Sequence, residues 1–157
     1  NIFLEVLLAR KRKNECKKFL KLLKDGKIDG IVTDFTIHSI IVLMDHFKKL
    51  DKLKIFLSSL RGYKGLHVYT TSLIDELNAV DIALENKLDM DDAIQYAVAL
   101  KFNAKAIVSF DKHFDNLKIP RIEPSKLETR CTSKTTKQRR SRHHSESGVH
   151  GEPGSFQ

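Results

Sequence analysis

Two aspartates in the second half of the chain have the type and spacing to form a metal-ion site. Asp92 falls in the first turn of a predicted amphipathic helix, and Asp111 follows two residues beyond a short apolar run that is predicted to be a buried strand. In a parallel α/β sheet, residues just outside the carboxyl ends of the strands line the functional crevice. Carboxylate oxygens are the ligands that Mg²⁺ prefers. We therefore expect Asp92 and Asp111 to converge on one divalent cation.

The elements that would position these acids follow from periodicity and capping residues. Asp89 can cap the helix that carries Asp92, and Asn14 can cap an earlier helix. Ser72 and Asp75 have the spacing of a capping box. The predicted strands cover residues 30–33, 66–70, 106–109 and 119–122, and the predicted helices cover 2–8, 15–25, 35–47, 55–60, 73–86 and the stretch after Asp89. Strands that alternate with helices predict an α/β fold with a parallel sheet.

Length and composition are those of a globular protein. The chain has 157 residues, 41% of them hydrophobic and 31% charged, which suits one domain with a real core. No apolar run approaches the roughly 20 residues of a membrane span, and no signal-peptide pattern opens the chain. Cys16 and Cys131 show no metal or disulfide spacing. We therefore predict a cytoplasmic protein without a membrane partner.

The chain is basic, with a formal net charge of +8. Residues 1–127 contain 22 Lys and Arg against 17 Asp and Glu, and residues 128–157 contain 6 against 3. A basic domain with a local acidic cluster is typical of a metal-dependent nuclease, in which the positive surface holds phosphates. The alternative interpretation is a Lys-rich solvated surface.

The last 30 residues differ from the rest. Residues 128–157 are rich in Ser, Thr, Arg and His and have almost no apolar periodicity. Such a composition cannot bury enough surface to order itself, so we predict a disordered basic tail after a folded domain of residues 1–127. His143 and His144 lie in this tail without Cys or carboxylate partners, which makes them poor candidates for a metal site.

Four blocks of the sequence resemble, in order, the signature blocks of PIN domains, and specifically the VapC-like toxin ribonucleases of toxin–antitoxin systems. The blocks are NIFLEVLL, TDFTIHSIIVLM, LDMDDAIQYAVAL and IVSFDKHFD. The resemblance covers roughly residues 1–127. It implies a three-layer α/β/α fold with a parallel sheet, and hydrolysis of RNA phosphodiesters with Mg²⁺ or Mn²⁺. It also implies a homodimer and an antitoxin protein as partner.

The resemblance implies a site with four acids, of which this chain shows two. Asp92 and Asp111 match the two later acids, as catalytic and metal-binding residues, and Ser109 matches a supporting Ser or Thr. Asn1 matches the Asn of the family's opening Asp-Thr-Asn, so that its Asp would lie two residues before Asn1. The Glu position falls on Ser39. We therefore expect an N-terminal truncation that removes the first, central strand of the sheet.

The reduced set of acids limits the metal chemistry. Mg²⁺ is commonly held by one or two carboxylates with waters and substrate phosphates, so one ion remains feasible. A pair of ions roughly 3.5–4 Å apart is harder to hold without a carboxylate at Ser39. Asp91 points about 100° away from Asp92 around the helix, and we interpret Asp91 and Asp89 as helix-start charges that complement the dipole.

Three functions compete. The first is an Mg²⁺-dependent ribonuclease that an antitoxin inhibits by inserting into the acidic cleft. The second is a catalytically degenerate PIN domain that binds RNA or a protein, which the serine at position 39 favours. The third is a phosphoacceptor receiver domain. It requires an early Asp pair and a separate late strand-end Lys, and Lys112 instead follows Asp111 directly.

Overall fold

Helices enclose two pairs of short parallel strands in the computed structural model, which describes residues 2–127. The elements in chain order are α1 (Ile2–Leu7), α2 (Lys13–Lys24), β1 (Gly30–Thr33), α3 (Asp34–His46), α4 (Leu50–Leu60), β2 (Leu66–Tyr69), α5 (Leu73–Asn86), α6 (Met90–Lys101), β3 (Ile107–Val108), a 3₁₀ helix (Lys112–Phe114) and β4 (Arg121–Ile122). The predicted α/β class with parallel strands is confirmed.

The strands form two separate parallel pairs. β1 pairs with β2 in the register from Gly30↔Leu66 to Thr33↔Tyr69. β3 pairs with β4, where Ile107 N–H donates to the carbonyl of Pro120 over 2.9 Å. Within residues 2–127 no ladder joins the two pairs, so one continuous sheet is not formed. The central strand that we expect before residue 1 stays a prediction.

Two predicted helix starts are wrong. α2 begins at Lys13, and Asn14 lies inside its first turn rather than at the cap. α4 begins at Leu50 rather than residue 55, because Leu53 and Phe56 lie on one helix face and are both buried. The capping box of α5 is confirmed: Ser72 Oγ accepts from the N–H of Asp75 (3.2 Å), and the Asp75 carboxylate accepts from the N–H of Ser72 (2.9 Å).

The hydrophobic core has two clusters. The first is formed by α1, α2, β1, α3 and α4 and has Ile40 and Met44 of α3 fully buried within it. The second is formed by α5, α6 and β3 together with Phe114 of the 3₁₀ helix. α6 also contacts β1 and α3, so this helix packs against both halves of the fold. Its N-terminus faces the segment that follows β3.

Within residues 2–127 there is no helix with the length and apolarity needed to cross a bilayer. Residues 128–157, where we predict the disordered basic tail, lie outside the described residues.

Candidate metal centre

Asp92 is a buried carboxylate at the start of α6. The carboxylate of Asp89, the N-cap residue, accepts from the N–H of Asp92 over 2.9 Å, as a cap does at this position. Ala93 and Tyr96 of the same helix belong to the second cluster of the core. Their packing places Asp92 at the protein interior, where it is only 8% exposed. Its Oδ2 is the one buried side-chain polar atom in the described part of the chain that accepts no hydrogen bond. An unpaired buried carboxylate oxygen is costly unless a cation neutralises it.

Asp111 is held by short-range turn contacts after β3. Its N–H donates to Ser109 Oγ over 3.0 Å, and its Oδ1 accepts from the N–H of His113 over 2.9 Å. The first contact turns the chain as the strand ends, and the second starts the 3₁₀ helix. Ser109 is itself buried, so it fixes the backbone of Asp111 while the Asp111 carboxylate faces solvent.

Arg121 of β4 braces both ends of this segment. Its Nη1 donates to the carbonyl of Ser109 over 3.0 Å, and its Nε donates to Asp115 Oδ1 over 2.6 Å. The same contact lowers the pKa of Asp115, because the guanidinium stabilises the carboxylate. Between these two points Phe114 is 1% exposed and anchors the 3₁₀ helix in the core. The segment of residues 109–115 is therefore fixed at three points.

A second arginine ties the first half of the fold to the same region. Arg12, which precedes α2, donates from Nη2 to Glu123 over 2.6 Å. Its guanidinium also lies 3.7 Å from the ring centroid of Phe110, the residue before Asp111. Arg12 is thus engaged with residues beyond β3 as well as with its own helix.

The structure brings Asp92, Asp111 and His113 together. Nδ1 of His113 lies 3.4 Å from Oδ2 of Asp92 and 3.2 Å from Oδ1 of Asp111. The potential ligand atoms of the three residues all lie within 4.8 Å of one another. The predicted convergence of Asp92 and Asp111 is thus seen in the fold, and His113 joins them although it was not among the residues predicted from the sequence. The available signal was its position two residues after Asp111 at the predicted site edge.

The electrostatics of the cluster favour a cation. Burial raises the pKa of Asp92 to about 6, and the neighbouring charges of Asp89 and Asp111 add to the rise. The contact with His113 acts in the opposite direction. A cation placed among these groups would offset the carboxylate repulsion and supply a partner for the buried oxygen.

The other predicted site residues do not complete a four-acid set. Ser39 lies half-buried in the middle of α3 and contributes no carboxylate. Asn1 lies outside the described residues. Asp91 accepts from the side-chain amide of Gln95 over 2.9 Å, and Asp89 caps the helix. Both acids therefore act at the helix start and do not replace the missing ligand.

The donor set fits a divalent cation. The cluster offers two carboxylates and one imidazole, and Oδ2 of Asp92 is buried without a hydrogen bond. The side chains of Asp111 and His113 are 45% and 66% exposed. These exposed side chains leave the cluster open to solvent on one side. Imidazole is a poorer ligand for Mg²⁺ than for Mn²⁺ and later transition metals.

The family model described as PIN domain matches residues 1–113, which include all three residues of the cluster. PIN domains generally have nuclease activity and usually bind divalent metal ions. No curated protein and no solved structure matches the chain. Because the family match covers well over half of the 157 residues, the chain belongs to the PIN domain family.

Proposed function

We propose that this PIN domain is a metal-dependent endoribonuclease that hydrolyses RNA phosphodiesters at the cluster of Asp92, Asp111 and His113. The observation that carries the proposal is the buried, unpaired Oδ2 of Asp92, which faces the two other potential ligands. A structural carboxylate would normally be hydrogen-bonded at this depth. Because this oxygen accepts no hydrogen bond and has only the His113 imidazole beside it, it is available to bind a cation.

Each of the three residues has a separate part in the proposal. Asp92 supplies a carboxylate fixed by the packing of α6, and Asp111 supplies one fixed by the turn after β3. His113 adds an imidazole nitrogen at the exposed edge. A cation bound there would polarise a phosphate oxygen and lower the pKa of a water molecule. Mg²⁺ and Mn²⁺ are the proposed ions, and the imidazole favours Mn²⁺.

Binding of RNA is supported by the charge of the chain. The net charge of +8 attracts a polyanion such as RNA over a long range. The carboxylates of Asp92 and Asp111 lie together, so their repulsion of phosphates is limited to the cluster itself. Lys112 is exposed beside Asp111 and can contact a phosphate at the cluster. We expect RNA affinity to fall steeply with ionic strength.

A cleavage assay with the full chain tests this proposal. Single-stranded RNA is incubated with the protein and Mg²⁺, Mn²⁺ or EDTA, and the variants Asp92→Asn and Asp111→Asn are compared with Asp91→Asn. Asp91 is a matched control, because it lies next to Asp92 but bonds to Gln95 instead of joining the cluster. Cleavage that is lost in EDTA and in the two cluster variants, but kept in the control, supports the nuclease.

The second candidate is a degenerate PIN domain that binds RNA or a protein without cleaving RNA. The serine at position 39 favours it, because α3 offers no carboxylate there. Metal-independent RNA binding without cleavage would support this candidate over the nuclease. The homodimer, the antitoxin partner, the VapC subfamily and the cytoplasmic location stay predictions from sequence.

A further inference from the structure

α5 exposes a stripe of large apolar side chains to solvent. Leu73, Leu77, Val80 and Leu84 are 82%, 63%, 40% and 77% exposed. Their spacing of four, three and four residues is that of the seam positions of a heptad repeat. We call these four residues the α5 stripe. It runs for about 16 Å along the helix, at 1.5 Å per residue.

The stripe is not the face that packs in the core. α5 packs on α6, and its buried residues are Asp75 and Ala79. Successive helical residues turn by about 100°, so these two positions lie on the side of α5 away from the stripe. The rest of residues 2–127 therefore leaves this apolar face of α5 exposed to solvent. Contiguous exposed apolar residues of this kind mark interaction sites.

The charged residues within α5 are all negative. α5 contains no Lys or Arg, and Glu76 lies on one flank of the stripe while Asp81 and Glu85 lie on the other. These three acids make no ion pair with any other described residue. The remaining acid of the helix, Asp75, is bound by Lys101 over 2.7 Å on the packed side. In a chain of net charge +8, this surface is an acidic exception.

We propose that the α5 stripe is a docking surface for an amphipathic helix of a partner protein with basic residues beside its apolar face. The apolar side chains would pack on the stripe, and the Lys or Arg residues would pair with the free acids on its flanks. Charge complementarity favours this occupant, because acids that pair with no other described residue lie on both flanks of the apolar seam and would attract its cations.

Two other occupants fit less well. A second copy of α5 would place acids beside acids, since the helix has no cation to alternate with them. Residues 128–157 are basic but lack an apolar repeat, so they match the charge of the flanks and not the seam. Neither occupant supplies both an apolar seam and basic flanking residues.

The test uses a synthetic peptide of the same length as α5, with Leu at seam positions, Lys at flanking positions and a fluorescent label. Its analogue has Glu in place of Lys. Fluorescence anisotropy with the full chain should show binding of the Lys peptide alone, weakened by salt. The double variant Leu77→Ser, Leu84→Ser should bind about tenfold more weakly or worse. Ile55→Ser is the control, because Ile55 on α4 is equally apolar and 70% exposed.

A second variant separates charge from apolar contact. Glu76→Gln with Asp81→Asn keeps the stripe and should weaken binding of the Lys peptide while flattening its salt dependence. Equal binding of the Lys and Glu peptides, or equal loss in the Ile55→Ser control, overturns the proposal. So does sedimentation that shows a dimer dissociated by the stripe variant, or peptide binding that appears only after removal of residues 128–157.

Discussion

Oδ2 of Asp92 lies 3.4 Å from Nδ1 of His113, although one residue starts α6 and the other belongs to the 3₁₀ helix after β3. This approach brings a buried carboxylate to the edge of an exposed imidazole. The loss of either side chain therefore removes one of the potential ligand atoms for a cation at this site.

Substitution of His113 should weaken binding of Mn²⁺ more than binding of Mg²⁺. In His113→Asn the imidazole nitrogen beside the two carboxylates is lost, and imidazole matters more to transition metals. We expect a loss of about tenfold or more in Mn²⁺ affinity by calorimetry. His38→Asn, an exposed change on α3, is the control. Unchanged Mn²⁺ affinity in His113→Asn would remove the histidine from the site.

The raised pKa of Asp92 predicts a dependence of stability on pH. The folded value is about 6, above the value of about 3.9 for an unfolded Asp, so the folded state holds this proton more tightly. The contribution of Asp92 to stability is therefore largest below pH 4 and declines as pH rises to 6, by up to about 3 kcal/mol. Urea unfolding of the wild type and of Asp92→Asn between pH 4 and pH 7 measures this contribution. It is the pH-dependent difference between their free energies of unfolding.

Asp92→Asn should raise the free energy of unfolding at pH 7 in the absence of metal. The substitution removes a buried charge that has no hydrogen bond at Oδ2. Cleavage should be lost in this variant even as the fold becomes more stable. Lower stability in Asp92→Asn would show that the carboxylate has a structural partner after all.

Arg121 is expected to position the residues of the candidate metal centre without itself being a ligand. In Arg121→Met the carbonyl of Ser109 and the carboxylate of Asp115 lose their common donor, so the segment of residues 109–115 loosens. We expect Mn²⁺ affinity to fall by about tenfold or more, as for other supporting contacts of metal sites. Arg10→Met, outside this network, should leave the affinity unchanged. Equal affinity in both variants would contradict the positioning role.

The first core should be sensitive at its most buried position. Ile40 of α3 is 0% exposed, and Ile40→Ala should cost about 2–5 kcal/mol of unfolding free energy through lost burial and the cavity left behind. Val42→Ala on the same helix, at 68% exposure, should change it by less than about 0.5 kcal/mol. Chemical denaturation of both variants makes the comparison, and similar losses would contradict this core arrangement.

Contacts between near neighbours in the chain were accessible to prediction. The capping box of Ser72 and Asp75 and the cap of Asp89 on Asp92 each join residues three apart, so the amino-acid types define them without knowledge of the fold. The alternation of strands and helices predicted the α/β class, because each element is recognised from the pattern of residues within its own segment. The predicted start of α2 after Asn14 is wrong because its N-cap residue, Arg12, makes no side-chain cap hydrogen bond and therefore carries no capping signal.

The amino-acid sequence determined which acids are present and that two of them follow a helix start and a strand end. Tertiary structure alone decided that Asp92 would be largely buried, that His113 would face it, and that the α5 stripe would lie outside the core. Burial and approach depend on how α6, β3 and α5 pack on one another. These are relations between segments far apart in the chain, which propensity and spacing within one segment do not specify.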